Sequence, residues 1–361
     1  MPLLPPTRAR NRSKLADWME LSALISPTGA VHSNEIRRLI ESDSDGDDHG
    51  TDVDPSTGEA LDREILDHGP IDVIERLHEE LEYRARVCGE CYPFALEYSD
   101  GPAGFDGTFR LRCLINEPIP TSHHTFYTLC LLETGIRDQI VAVSDVNVTN
   151  HRLGLLFQVA SCLALGGYFR GHIVWFGFPR PDANAFLPAL RSVFERYGSH
   201  TVLDRIPAGY PRDLKDGGID IIAWIDFEDG RGAKSVIYGQ VASGYDWPHK
   251  TLLGFIAKFQ NWFLPPAIAH ASPAILIPFP IHHGLEENDE RHWETEAQQS
   301  MLYHSSDFGV IFDRFRVARF AARACVLPEV EQARIDGFAQ LDSITEWIGD
   351  VLGQLAPSEA A

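Results

Sequence analysis

The chain has 361 residues, enough for one large domain or two ordinary ones. Acidic residues outnumber basic ones by 52 to 31, and the formal net charge of −21 argues against a protein that coats nucleic acid unaided. No apolar run reaches membrane-spanning length, and the opening segment 1–6 has too short an apolar core for a signal peptide. We therefore expect a cytoplasmic protein with reduced thiols and no membrane association.

The first 147 residues predict an α+β accessory region. The segment 41–60 is mostly acidic residues, Ser and Gly, which cannot bury a core, so we expect a solvated, flexible loop there. It lacks the Gly and the closing Glu of a calcium loop. Hydrophobic periodicity and turn residues predict helices at 12–24, 34–40, 71–86 and 126–134, and strands at 92–98 and 108–114 joined by a turn at 100–102.

Two cysteines, Cys88 and Cys91, have the spacing of half a zinc site or of a redox pair. No second Cys or His pair of matching spacing stands near them, so a four-ligand zinc site is disfavoured. We expect two thiols that are buried or half-buried in the core.

Residues 148–361 predict a second region in which helices and strands alternate. Asp182 is the expected N-cap of one helix, and Gly198 is its expected C-terminal stop. The predicted helices are 152–165, 182–197, 246–263 and 329–355, and the predicted strands are 218–227, 234–243, 274–281 and 309–315. This alternation predicts an α/β class with a mixed central sheet flanked by helices.

One acid, Asp220, stands in an apolar strand-like run. An ionised carboxylate there costs several kcal/mol unless it is paired or binds a metal, so the alternatives are an ion pair at a strand end and a metal site. Gln240 ends the next apolar run, with Ala242 on the same strand face. Metal-dependent nucleases of this design carry a lysine at the second position. Lys250, expected one turn into the next helix, is the candidate substitute; its alternative is a solvated lysine.

The segments 215–220 (KDGGID), 239–247 (GQVASGYDW) and 313–316 (DRFR) resemble the PD-(D/E)XK nuclease superfamily. The similarity covers about residues 150–320 and is strongest to Mrr-like restriction endonucleases and to restriction-like proteins of bacterial anti-phage defence systems. It implies a restriction-endonuclease-like α-β-β-β-α-β core and a Mg²⁺ or Mn²⁺ cofactor held by Asp220 and Gln240. It also implies that Asp220 and Gln240 are catalytic, and we infer that Lys250 takes the role of the catalytic lysine.

The chain departs from that family at two positions. The strand lysine is replaced by Ala242, and the glutamate of the first core helix is replaced by Gln158, a weaker magnesium ligand. Glu195 on the next predicted helix is the preferred replacement, with a surface glutamate as an equal alternative. Asp216 is either a second ligand or a turn former with the glycines that follow, and we favour the turn.

Candidate nucleic-acid contacts are Arg314 and Arg316, which share one face of a predicted strand, and Lys258. Both arginines suit phosphate oxygens and equally suit ion pairs with acids. His249, His282 and His283 lie near predicted strand ends, where they suit proton donation, but no partner spacing singles one out.

We therefore expect a metal-dependent DNA endonuclease, the effector of a defence system. Its acidic charge indicates that a partner such as a helicase or sensor subunit delivers the DNA. Cutting both strands implies a homodimer. The alternatives are a catalytically inactive nuclease-like module that binds nucleic acid or a partner protein, and a nuclease-like scaffold in a larger complex.

Overall fold

The computed structural model describes residues 3, 11–44, 70–98, 108–115, 123–142, 150–182, 184–198, 201–212, 214–227, 229–250, 252–264, 271–283 and 293–355. Its helices are α1 (Arg12–Ile25), α2 (Ser33–Ser44), α3 (Pro70–Cys88), α4 (Thr125–Arg137), α5 (Asn150–Phe169), α6 (Phe186–Tyr197), α7 (Leu252–Phe259), α8 (Trp293–Phe308), α9 (Arg314–Cys325), α10 (Glu329–Gln332) and α11 (Leu341–Leu355). Its strands are β1 (Ala30–His32), β2 (Phe94–Tyr98), β3 (Phe109–Cys113), β4 (His172–Trp175), β5 (Ile221–Ile225), β6 (Ser235–Val241), β7 (Ser272–Leu276) and β8 (Val310–Phe312).

Five strands form the central sheet in the order β4-β5-β6-β7-β8. The first three run antiparallel to one another, whereas β7 and β8 are parallel to β6. Parallel neighbours need a crossover connection, and α7 and α8 lie in the two connections of this sheet. The predicted α/β class with a mixed, helix-flanked sheet is confirmed.

Both faces of the sheet are covered because successive strand residues point to opposite sides. Ile221 and Leu276 belong to a core with α1, α3, α4, α5, α9 and α11, whereas Ile222 and Ile275 pack with α6, α7 and α8. This double burial explains why the strand sequences are continuously apolar and do not alternate.

The N-terminal region adds a three-stranded antiparallel sheet of order β1-β3-β2. Its helices share one hydrophobic core with the helices of the second half, through side chains such as Leu21, Leu131 and Leu163. The predicted domain boundary at residue 147 and the turn at 100–102 lie outside the described residues. The predicted acidic loop begins too early, because α2 continues to Ser44. Cys88 and Cys91 are both buried.

Several predicted bounds in the second half are wrong. The strand β4 occupies a segment that the sequence pattern leaves as a loop. The predicted strand 309–315 ends at Phe312, because Asp313 accepts a hydrogen bond from the Arg316 amide and so caps α9. The predicted closing helix is divided into α10 and α11, with Gly337 between them in the left-handed region at φ 111°.

Two predicted helix starts are also wrong. The N-cap of α6 is Ala185, and Asp182 instead binds Asn184 by accepting from its amide groups. Gly198 is confirmed as its left-handed C-terminal residue. The predicted helix 246–263 is a 3-10 turn at Trp247–His249 followed by α7.

Of the helices in the described ranges, only α5 is long and apolar enough to cross a membrane, over Arg152–Phe169. Of the residues in this segment, 67% are buried inside the protein, as in a central core helix. It packs along α9 and against the sheet.

Candidate functional site

Asp220 directly precedes β5 and lies next to the end of β4 and the last residues of β6, at one end of these three neighbouring strands. Its carbonyl oxygen accepts from the amides of Phe176 and Gly177 after β4, at 2.8 and 2.7 Å. Its own amide donates to the Gly239 carbonyl of β6 at 2.8 Å, and its Oδ2 accepts from the Val241 amide at 2.8 Å. Backbone groups of the segment after β4 and of β6 therefore hold Asp220 on both sides. The two β6 residues, Gly239 and Val241, are the chain neighbours of Gln240.

The Asp220 carboxyl is hard to ionise. Burial, and after it the nearby carboxylate of Asp216, raise its pKa from 3.8 to about 7, although the Val241 amide and the charge of Lys250 lower it. In the described part of the chain, no Lys or Arg makes a direct ion pair with Asp220. A half-buried acid of this kind, without a paired cation, is typical of functional sites.

Gly177 brings Gln158 into the same site. A Cβ atom added to Gly177 would stand 2.8 Å from Asp220 Oδ1 and 3.0 Å from Gln158 Oε1, so only glycine leaves these two oxygens in place. Gln158 Oε1 accepts from Trp175 Nε1 at 2.6 Å, which fixes the amide. Gln158, which stands where the sequence resemblance expects a glutamate on the first core helix, therefore lies next to Asp220, although its side chain is an amide.

Gln240 is 6% exposed, and its Oε1 finds no hydrogen-bond donor among the residues that the structure describes. A buried amide oxygen without a partner costs about 1–3 kcal/mol, so this atom is available for a ligand. Ala242 is fully buried in the apolar cluster with Tyr238 and Phe259. A lysine there would place an ammonium in an apolar core, so position 242 favours a small apolar residue over a cation.

Lys250 differs from its predicted position. It follows the 3-10 turn with extended backbone, before α7 begins, so it does not lie inside a helix. Although burial dominates the shift at Asp220, the charge of Lys250 lowers the pKa of that carboxyl, which places the half-buried ammonium within electrostatic reach of it.

Asp216 forms the turn that precedes β5, as predicted. Its Oδ1 accepts from the Gly218 amide at 2.9 Å and its Oδ2 accepts from the Phe178 amide at 3.3 Å. Gly217 and Gly218 have φ of 71° and 82°, which glycine adopts without strain. The turn thereby fixes a second acid beside Asp220.

The structure does not bring Glu195 to this site. It is exposed on α6 and lines a separate cleft with Arg191, Thr201 and Asp204. Lys258 is exposed on α7.

The two arginines of segment 313–316 do not share a strand face, because both belong to α9. Arg314 is fully buried and donates to both oxygens of Asp17 at 2.7 and 2.8 Å, which is the ion-pair alternative considered above. Arg316 is exposed, but it donates to the Ile311 carbonyl at 2.6 Å. The burial of Arg314 and its ion pair with Asp17 do not favour a phosphate contact by this residue.

The candidate histidines divide between two places. His282 and His283 are buried, where they contact Glu80 at 2.9 Å and Asp138 at 2.9 Å. His249 is exposed in the turn before Lys250.

Sequence reasoning missed the segment after β4, because it missed that strand. Gly177 and Phe178 lie there, and so does Arg180, which is 7% exposed. Arg180 donates to the carbonyls of Asn184, at 2.9 Å, and Lys215. The only sequence signal was the short apolar run before Gly177, which is too brief to separate a strand from a loop.

The side-chain oxygens present suit a metal ion that keeps several of its water ligands better than one bound entirely by protein groups. The described ranges contain no group of three or more His, Cys, Asp and Glu side chains that could hold a metal ion. The available oxygens are those of Asp220, Gln158 and the unpartnered Gln240 amide. Mg²⁺ keeps several waters and needs only one or two carboxylates, so this set fits Mg²⁺ more closely than a multi-ligand metal.

Comparison of the chain with protein-family models, curated proteins and solved structures gave no match.

Proposed function

We propose that the protein is a metal-dependent endonuclease that cleaves phosphodiester bonds in DNA. The observation that carries the proposal is the Asp220 carboxyl at the start of β5, with Oδ1 next to Gln158 Oε1, Asp216 in the preceding turn and Lys250 close enough for its charge to act on the carboxyl. The order α5-β4-α6-β5-β6-α7-β7, with three antiparallel strands followed by a crossover, supports a restriction-endonuclease-like core into which α6 is inserted between the first two strands.

In this proposal Asp220, Gln240 and Gln158 hold the divalent ion. When bound, the ion lowers the pKa of a coordinated water and neutralises charge on the scissile phosphate. Lys250 stabilises the negative charge that develops on the phosphoryl oxygens. Val241 and the backbone around Gly177 keep the Asp220 carboxylate in one orientation, so little reorganisation is needed when substrate binds.

The biological setting is proposed on the sequence resemblance. With a net charge of −21, the protein needs a partner, such as a helicase or sensor subunit, to deliver DNA to the site. Two copies of the chain would cut both strands. A cytoplasmic role in bacterial anti-phage defence follows from the same resemblance.

The proposal is tested by incubating the purified protein with supercoiled plasmid, linear duplex and single-stranded DNA in Mg²⁺, Mn²⁺ or EDTA. We expect cleavage products with either metal ion and none in EDTA. The assay is repeated with the proteins encoded beside this chain. Absence of cleavage under all of these conditions would refute the nuclease activity.

A second candidate is a catalytically inactive module that binds nucleic acid or a partner protein. It is favoured by Gln158 and Ala242, which stand where the related nucleases carry a glutamate and a lysine. DNA binding without cleavage in the same assays is the result that this candidate predicts.

A further inference from the structure

An exposed aromatic ring stands beside the candidate acid. Phe178 follows Gly177 directly and is 47% exposed, although every neighbouring aromatic in the segment 172–176 is buried or half-buried. A single exposed aromatic residue is common on protein surfaces. Phe178, however, follows Gly177, whose backbone lies against Asp220 Oδ1.

The backbone of Phe178 is held firmly. Its amide donates to Asp216 Oδ2 at 3.3 Å, and Arg180, two residues on, donates to the Lys215 carbonyl. The loop that carries Phe178 is thus bound to the turn that precedes β5. The backbone of Phe178 therefore has a fixed place relative to Asp220.

A cation accompanies the ring. Lys215 Nζ lies over the Phe178 ring, 5.2 Å from its centroid, and both side chains are exposed, so an incoming base would stack on the opposite face or displace the ammonium. An aromatic ring and an ammonium are the pair of groups with which proteins bind single strands, because a base stacks on the ring while the cation contacts the adjoining phosphate. In an intact duplex the base faces are already stacked, so a ring of this kind has nothing to stack on.

We propose that the site takes an unpaired nucleobase of single-stranded nucleic acid, stacked on Phe178, with Lys215 on a neighbouring phosphate. This inference rests on the proposed function and narrows its substrate to single-stranded segments, free ends or flaps. Phosphodiester cleavage at Asp220 would then occur next to the stacked base.

The test is a binding measurement without cleavage. Fluorescently labelled single-stranded DNA, single-stranded RNA of the same sequence and the DNA duplex are titrated in EDTA with the full chain and with Phe178→Ala, Phe178→Trp and Phe227→Ala. Phe227 is the matched control, because it is 63% exposed and follows β5 at the end opposite Asp220.

We expect Phe178→Ala to weaken single-strand binding by about five- to a hundredfold, the range that corresponds to one stacked base. Phe178→Trp and Phe227→Ala should bind like the wild type, and duplex binding should not change. Lys215→Ala should reduce the slope of log affinity against log salt by about 0.7, the loss of one single-strand phosphate contact. The DNA and RNA titrations show which sugar the site accepts.

Equal single-strand affinities for Phe178→Ala and Phe227→Ala would overturn the inference, as would no measurable single-strand binding by the wild type. A wild type that cleaves DNA but binds independently of Phe178 refutes this inference alone. A wild type that binds single strands through Phe178 but never cleaves refutes the nuclease activity and leaves the stacking site standing.

Discussion

At the scale of single residues, Asp220 is an acid kept in a place where ionisation is costly. The Val241 amide occupies its Oδ2, which leaves Oδ1 directed toward Gly177 and Gln158. A carboxylate that had only a structural role would be expected to pair with a cation or to accept more backbone bonds. One free oxygen beside a fixed amide oxygen is what a ligand site requires.

Lys250 is the residue on which the proposed catalysis depends most after Asp220. We expect Lys250→Ala to lower the cleavage rate by about 10²–10³, the usual effect of removing one group that stabilises developing charge. Cleavage rates at saturating DNA measure this effect. Arg231→Ala, which removes an exposed cation in the turn after β5, is the control and should cleave at the wild-type rate. Equal rates for the two variants would remove Lys250 from the mechanism.

Glu133 on α4 is a buried acid whose pH dependence can be predicted. Burial raises its pKa from 4.5 to about 8, although Arg137 at 3.5 Å offsets part of the shift. Between about pH 4.5 and 8 the unfolded chain loses this proton while the folded protein keeps it. Stability is therefore full below about pH 4.5 and falls as the pH rises toward about 8.

Glu133→Gln should remove this contribution to the slope of unfolding free energy against pH, which is at most about 1.4 kcal/mol per pH unit. The slope is measured by urea unfolding of both proteins at about pH 5, 6, 7 and 8, which cover the titration range in roughly one-unit steps. Glu346→Gln on α11 is an exposed control and should keep the wild-type slope. Identical slopes for the Glu133 variant and the wild type would show that Glu133 ionises normally.

At the scale of elements, the segment that carries Lys250 is tied to the N-terminal helices through Tyr245. The Tyr245 hydroxyl donates to Asp138 Oδ1 at 2.6 Å, and His283 Nε2 lies 2.9 Å from Asp138 Oδ2. Despite burial of Asp138, its bond with His283 helps hold the pKa of this carboxyl below its usual value. The connection from β6 to α7 is thus fixed at its middle.

The direction of these hydrogen bonds is determined by Asp138, because an ionised carboxylate can only accept. Arg84 donates to Ser13 Oγ at 2.9 Å, and Ser13 Oγ lies 2.9 Å from His283 Nδ1. Burial lowers the pKa of His283, so the ring is neutral at pH 7 and carries its proton on Nε2, facing Asp138. The buried N-terminal helices therefore set the position of Tyr245.

Tyr245→Phe should loosen the segment 242–250 without unfolding the protein. The lost bond to a carboxylate contributes about 1.5–3 kcal/mol, so local amide exchange should accelerate about tenfold or more. Hydrogen–deuterium exchange of peptides from this segment measures the change. Tyr303→Phe, at a ring that is 73% exposed, is the control. Unchanged protection in the Tyr245 variant would show that the hydroxyl does not hold the segment.

Long periodic elements such as α3 and α5 could be predicted from the sequence, because many residues contribute to each pattern. The strand β4 could not, because four residues without alternation do not distinguish a strand from a loop. Asp220 and Gln240 were found together, since each is a polar residue at an end of an apolar run. Phe178 was missed with β4, because its place beside Asp220 depends on that strand's pairing with β5.

At the scale of the whole molecule, buried charges join the two halves of the chain. Asp17 on α1 accepts from Arg84 on α3 at 2.6 Å and from Arg314 on α9 at 2.7 and 2.8 Å, and all three side chains are fully buried. Although burial opposes ionisation of Asp17, the two guanidinium groups hold its pKa below the usual range. The shared hydrophobic core and this ion cluster predict that the halves unfold together.

Asp17→Asn should lower the free energy of unfolding by about 3–5 kcal/mol, because it leaves two buried guanidinium groups without their shared carboxylate. Urea unfolding followed by far-ultraviolet circular dichroism and by tryptophan fluorescence should show coincident curves, both shifted. Asp229→Asn, which removes only an exposed pair with Arg231, should leave both curves in place. A shift in one of two separate transitions would mean that the halves unfold independently.

The most direct test of the nuclease activity is the rate of plasmid nicking in Mg²⁺ by the wild type, Asp220→Asn and Asp229→Asn. Both substitutions replace an aspartate by the same neutral amide, beyond opposite ends of β5. We predict that Asp220→Asn abolishes nicking and that Asp229→Asn leaves the rate unchanged, because Asp220 lies next to Gln158 and within the electrostatic reach of Lys250. Nicking by Asp220→Asn at the wild-type rate would contradict the proposed active site.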